Sequence, residues 1–315
     1  MRSTHAERGA FAPVIAIGGP TASGKSALAL RLARELGGVV VNADAMQVYR
    51  EMRVLSARPD AADEAAAPHR LYGVLPASRR GSVGWWREAA LAEIAAARAA
   101  GGVPIVVGGS GLYLKLLQEG IAPVPPVPEA LRLDLRRQRE AEGDAALHAR
   151  LAALDPVSAA RLPAADWRRV LRALEVVLAT GRSLASFQAE APSPPVACRS
   201  ILLLPPRARL VEAIDRRCAA MLEAGAIDEA RAVLAAAPDP GLPARRAVGV
   251  GEIARHLAGE IGLDEALGLF RQATRQYAKR QVTWFRHQAQ GGLVLGEQYS
   301  ESLVPAIFRF IRETG

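Results

Sequence analysis

The sequence predicts an α/β protein: a P-loop NTPase-like parallel sheet flanked by helices, carrying an inserted all-helical domain. Three observations predict it. The apolar run Val14–Ile17 leads into a glycine loop that opens a helix-forming stretch. Further buried-strand runs, GVVVN at 38–42, PIVV at 104–107 and ILLL at 201–204, alternate with helical stretches, the order of a doubly wound sheet. Between the last two the texture becomes wholly helical and arginine-rich, bounded by proline clusters.

Composition narrows the class. The chain has 315 residues, half of them hydrophobic, enough for a sizeable core and two domains. No apolar run reaches the length of a membrane span, and the Met1–Pro13 leader lacks the apolar segment of a secretory signal. Cys198 and Cys218 fit neither a disulfide framework nor a zinc site. A reducing cytoplasm is the expected home. The net charge of +8 favours a polyanionic partner, although the only lysines are Lys25, Lys115 and Lys279, so coding bias toward arginine also accounts for it.

The first element carries the strongest motif. Gly19-Pro20-Thr21-Ala22-Ser23-Gly24-Lys25-Ser26 fits G-x-x-x-x-G-K-[ST], with a strand before it and a helix after it. Gly19 and Gly24 let the backbone fold tightly, so that its N–H groups converge on an anion at a helix N-terminus. Lys25 supplies a compact charge for the outer phosphates, and Ser26 a hydroxyl for Mg²⁺. This is a phosphate or diphosphate site. The second strand ends at Asp44-Ala45-Met46-Gln47, and ligand-facing loops follow the carboxyl ends of strands, so Asp44 is placed near the loop.

A short segment, Val54–Pro59, follows, and Pro68–Gly73 leads into another strand. Trp85–Ala100 has helical periodicity and is stopped by Gly101-Gly102; PIVV then ends in Gly108-Gly109-Ser110-Gly111. APVPPVP at 122–128 is an extended linker, 129–190 is helical, and Pro192–Pro195 closes that block. Residues 11–118 and 198–290 are thus read as a discontinuous core, 119–197 as the insertion, and 291–315 as a C-terminal tail without an interpretable motif. Arg207–Ala224 is a helix, AVGVGE at 247–252 a glycine turn entering another, and Leu269–Gln288 a long amphipathic helix. Its interleaved cations and aromatics suit phosphate contacts beside base stacking; they equally describe a solvated face with Tyr277, Trp284 and Phe285 in the core.

An ATPase or GTPase motor would want an acid at the end of the 104–107 strand, and none is there. A small-metabolite kinase stays open, because Asp44 could bind metal or activate a hydroxyl.

Taken in order, GPTASGKS (19–26), DAMQVY (44–49), SARP (56–59), GGSGLY (108–113), RALEV (172–176) and YAKRQVTWFR (277–286) resemble the tRNA dimethylallyltransferase (tRNA isopentenyltransferase) family over nearly the whole chain. The resemblance implies transfer of a dimethylallyl group from dimethylallyl diphosphate to the exocyclic amine of the adenosine 3′ of the anticodon. It implies that the loop holds diphosphate, with Mg²⁺, as leaving group. Asp44 stands where the family places the base, Lys25 and Arg217 would stabilise the departing charge, and Ser110 would touch leaving group or nucleotide. Ala45, Met46 and Gln47 would line the nucleotide pocket. Arg132, Arg168, Arg169 and Arg172 of the insertion would grip the anticodon stem-loop, while Thr274, Arg275, Gln276, Tyr277, Ala278, Lys279, Arg280 and Gln281 hold the RNA from the core side. A compact, monomeric, bacterial-type enzyme is expected.

The chain departs from the family pattern at Ala45 (usually serine), at Gly249-Val250-Gly251-Glu252 (without the usual aromatic and cation), at Arg168 (glutamine) and at Ala213 (often arginine). A non-catalytic RNA-binding protein with a structural anion site is therefore the third alternative.

Overall fold

Val14–Gly18 (β1) is apolar and buried along its whole length, as a strand covered on both faces must be. It hands the chain to the glycine loop and then to the helix Lys25–Leu36 (α1), whose Leu28, Ala29, Leu32 and Ala33 form one buried stripe. A computed structural model describes residues 13–190, 192, 196–288 and 292–313. The leader through Ala12 and the second proline cluster apart from Pro192 lie outside the described residues.

Gly38–Asn42 (β2) returns through the sheet. After the short helix Ala61–Ala66 (α2) come His69–Arg70 (β3) and the helix Val83–Ala99 (α3). Ser82 caps α3 by accepting the N–H of Trp85, and the chain runs on to Val103–Gly108 (β4) and the helix Gly111–Glu119 (α4). Indole and phenol rings of Trp86 and Tyr113 stack at 4.4 Å in the layer between α3 and the sheet.

The described residues of the insertion form the helices Glu129–Leu154 (α5, broken at Gly143), Pro156–Arg161 (α6), Trp167–Thr180 (α7) and Leu184–Ala189 (α8). Leu135, Leu147, Leu151, Val170, Leu171 and Leu174 make its own core, and residues 119–195 form a compact unit.

The remainder of the chain belongs to the first unit. It contains Cys198–Leu203 (β5), the helices Arg207–Glu223 (α9), Ala226–Ala236 (α10), Val250–Leu257 (α11) and Leu263–Gln288 (α12), then Leu293–Leu295 (β6) and Val304–Glu313 (α13). Among the described residues six strands form one parallel sheet, in the order β3-β2-β4-β1-β5-β6.

One expectation is corrected. Within the expected 291–315 tail, the described residues 292–313 join the core: β6 pairs with β5 in the register Leu202↔Val294, and Ile307 of α13 is fully buried against α1 and the sheet. Three residues with one exposed valine leave too short a pattern for a strand to be read from sequence.

Candidate active site

The glycine loop closes on itself as the motif requires. Gly24 caps α1 at φ 88°, a left-handed conformation that glycine adopts without penalty. Ammonium Nζ of Lys25 donates to Pro20 O at 3.2 Å, and at the rim Arg217 donates to Thr21 Oγ1 at 3.4 Å. Inside the loop the Ser23 hydroxyl is fully buried, with no hydrogen-bond partner among the described residues. A buried polar atom left over beside converging N–H groups fits a loop built around an anion. Both Ser26 and Lys25 line the cavity in front of it.

Asp44 is aimed by Asn42, the last residue of β2. The buried Asn42 side chain accepts the Asp44 N–H at 2.8 Å and donates to the carbonyls of Asp44 and Leu71 at 3.0 and 3.1 Å. Carboxylate Oδ1 of Asp44 then accepts the Met46 N–H at 2.9 Å. From β4, the Ser110 hydroxyl accepts the Ala45 N–H at 2.9 Å and the Ser110 N–H reaches Ala43 O at 3.2 Å. The two turns are pressed so close that a Cβ at Gly108 would overlap the Ala43 carbonyl.

Gln281 ties these loops together. Its carbonyl accepts the Thr21 N–H at 2.8 Å and its amide donates to Gly109 O at 3.0 Å. The glycine loop and the Ser110 turn are thereby fixed to one helix, and Ser110 in turn holds the Asp44 turn.

Before them lies a cavity of about 480 Å³. Its lining combines polar and charged groups of Thr21, Lys25, Ser26, Asp44 and Arg217 with apolar ones of Met52, Leu55, Met221, Val248 and Phe270. Burial lowers the Lys25 ammonium to about 8; the Asp44 charge opposes that fall and Arg217 adds to it. The phenols of Tyr72, Tyr113 and Tyr277 are all pushed up, chiefly by burial, with the Asp44 charge adding in each case.

Other expected site residues fall into two groups. Ala45, Met46 and Gln47 line the cavity, although the Gln47 amide is engaged by the carbonyls of Ser56 and Ala57, at 2.9 Å each. On α12 the expected residues divide between two faces. Thr274, Ala278 and Gln281 point inward with Phe270 and Phe285, as helix-spaced buried residues. Thr274 donates to Phe270 O at 2.8 Å, and only its rim reaches the cavity. The outward face keeps Arg275, paired to Asp215, with Gln276, Lys279 and Arg280 exposed and Tyr277 half-buried.

In the helical unit Arg168 and Arg169 are exposed, and Arg168 lies over the Trp167 ring at 4.8 Å. Arg172 donates to Glu175 at 3.2 Å, and Arg132 approaches Glu129 and Glu175 at 3.5 and 3.8 Å. Sequence reading missed Asn42 and the bridging use of Gln281. A polar residue ending the apolar run VVVN was the available signal for the first. Among the described residues no group of three or more His, Cys, Asp or Glu is placed to hold a metal, and no helix is long and apolar enough to cross a membrane.

Comparison with known proteins bears on this geometry. A model of the IPP transferase family matches residues 47–288. The tRNA dimethylallyltransferase of Rhodospirillum centenum is 57% identical over 279 residues, covering 88% of this chain and 89% of that protein. Its counterpart in Paramagnetospirillum magneticum is 51% identical over 303 residues, 96% of each. Among solved structures, the full-length tRNA isopentenylpyrophosphate transferase of Bacillus halodurans superposes with TM-score 0.66 at 31% identity, over 96% of this chain and 97% of that one. A eukaryotic dimethylallyltransferase crystallised acting on tRNA superposes with TM-score 0.82 at 25% identity, over 96% of this chain and 78% of that one.

Proposed function

Because the chain belongs to the IPP transferase family, we infer that it is a tRNA dimethylallyltransferase, moving a dimethylallyl group from dimethylallyl diphosphate onto the exocyclic N6 amine of the adenosine 3′-adjacent to the anticodon. The observation that carries this reading is one cavity faced by the phosphate loop and by Asp44.

The chemistry follows from those groups. An aromatic amine is a weak nucleophile because its lone pair is delocalised into the ring. The Asp44 carboxylate accepts one amine hydrogen as the nitrogen bonds the allylic carbon. The carbon–oxygen bond to diphosphate breaks, and both its electrons leave with the diphosphate. Lys25, Arg217 and the loop N–H groups neutralise that growing charge. Mg²⁺ fits the donors present, since it takes one or two hard protein oxygens and fills its shell from phosphate and water; the Ser26 hydroxyl would hold it. When bound it would supply further charge neutralisation to the leaving group. The apolar part of the cavity lining suits the hydrocarbon tail, and the adenosine must leave its stack to enter.

Arg168, Arg169 and Arg172, with Arg132, then hold the anticodon stem-loop, and Gln276, Lys279 and Arg280 contact the RNA from α12. The charge excess and the exposure of Arg168 and Arg169 support that reading. A cytoplasmic monomer completes it. Labelled dimethylallyl diphosphate with tRNA transcripts and Mg²⁺ tests the assignment. Label in RNA is expected; ATP-dependent phosphorylation of a metabolite, or RNA binding without transfer, would overturn it.

A further inference from the structure

We propose that Gln298 and Tyr299 are positioning residues for the phosphate loop, the segment after β6 bracing the loop from behind in its anion-binding shape. The proposal rests on assigning that loop to the diphosphate. Gln298 Nε2 donates to Ala22 O at 3.0 Å, and the Tyr299 N–H donates to Ser23 O at 3.1 Å. Two consecutive loop carbonyls are thus held by two consecutive residues of the C-terminal segment.

The loop needs such support. Ala22 sits at φ 64°, a left-handed conformation that a residue with a Cβ disfavours. A peptide's carbonyl and N–H point in opposite directions across a trans bond. Holding Ser23 O toward Tyr299 therefore aims the Gly24 N–H away from the brace, and Gly24 lines the cavity. The fit is tight: a Cβ at Gly24 would lie 2.7 Å from Tyr299 Cβ. The brace is also anchored to the helix that the loop opens. Tyr299 donates its phenol hydrogen to Glu301 at 2.7 Å, and Arg31 of α1 donates to Glu301 at 3.1 Å. Loop, helix and C-terminal segment form one closed circuit, with β6 fixing its far end to the sheet.

Gln298→Glu keeps the size of the side chain and removes the donor facing Ala22 O. Inorganic pyrophosphate binding and the KM for dimethylallyl diphosphate should both weaken about ten-fold, the worth of one hydrogen bond, while tRNA affinity stays within about two-fold. Ile307→Val in α13 serves as the stability control: it should lower Tm and leave pyrophosphate binding unchanged. Wild-type pyrophosphate affinity in Gln298→Glu would overturn the brace. So would an equal loss in Ile307→Val, because the segment would then matter only for stability. A wild-type protein that binds no pyrophosphate would instead overturn the diphosphate assignment itself.

Discussion

The hydroxyl of Ser110 accepts the backbone N–H of Ala45 at 2.9 Å, so the turn after β4 holds the turn that carries Asp44. The hydroxyl keeps its own hydrogen free to donate toward a leaving group or nucleotide. The family's usual serine after the aspartate is alanine here, yet the amide at that position is still held by Ser110. Ser110→Ala should lower single-turnover rate about ten-fold with tRNA affinity unchanged, and Ser110→Thr should restore most of it.

Asp44→Asn retains the shape of the turn and removes the proton acceptor. Turnover should fall about 10²–10⁴-fold, the usual worth of a general base. Filter binding should give a tRNA Kd close to wild type. A parallel loss of binding would make Asp44 a structural residue.

Lys25 trades stability for charge. Its pKa lies at about 8 in the fold against 10.5 ordinarily, because burial opposes the ammonium. Below pH 8 the lysine is charged in both folded and unfolded chains, and the cost of burying it is fully present. Between the two values the unfolded chain binds more protons, so this cost fades as pH rises and is gone above about 10.5. Lys25→Met should therefore abolish transfer yet raise Tm at pH 7, with the gain shrinking as the pH of the melt is raised through that window.

Gln281→Leu strands two partners, the Thr21 N–H and the Gly109 carbonyl. Each orphaned buried group costs about 1–3 kcal/mol, so denaturant melts should show a loss of roughly 2–6 kcal/mol. The tRNA affinity of the folded protein should not change, in contrast to an RNA-contacting glutamine.

Arg169 is three-quarters exposed, with only a 3.4 Å approach to Asp166 to restrain it. Arg169→Ala should weaken tRNA binding and lower the slope of log affinity against log salt by about 1, the signature of one phosphate no longer neutralised. An unchanged slope would remove this arginine from the RNA face.

What could be read from the sequence was local. The phosphate loop is fixed by glycine and lysine spacing within eight residues, and Asp44 by its place just after a strand. Gln281 could not be read the same way: its two partners lie 260 and 172 residues away, so only the closed fold reveals its use. The inward turn of Thr274, Ala278 and Gln281 was available in principle, since with Phe270 and Phe285 they repeat at helical spacing. Charge and aromatic interleaving on the same helix drew the reading toward RNA contact. For α12 both patterns hold, one on each face.

The order of the sheet also sets a timetable. β1, which carries the phosphate loop, is flanked by β4 from before the insertion and by β5 from after it, while β6 is the last strand to be made. A growing chain on the ribosome therefore carries the glycine motif long before it has the strands that steady it. The glycine loop gains its second flanking strand only with β5, and the Gln298 and Tyr299 contacts only after β6.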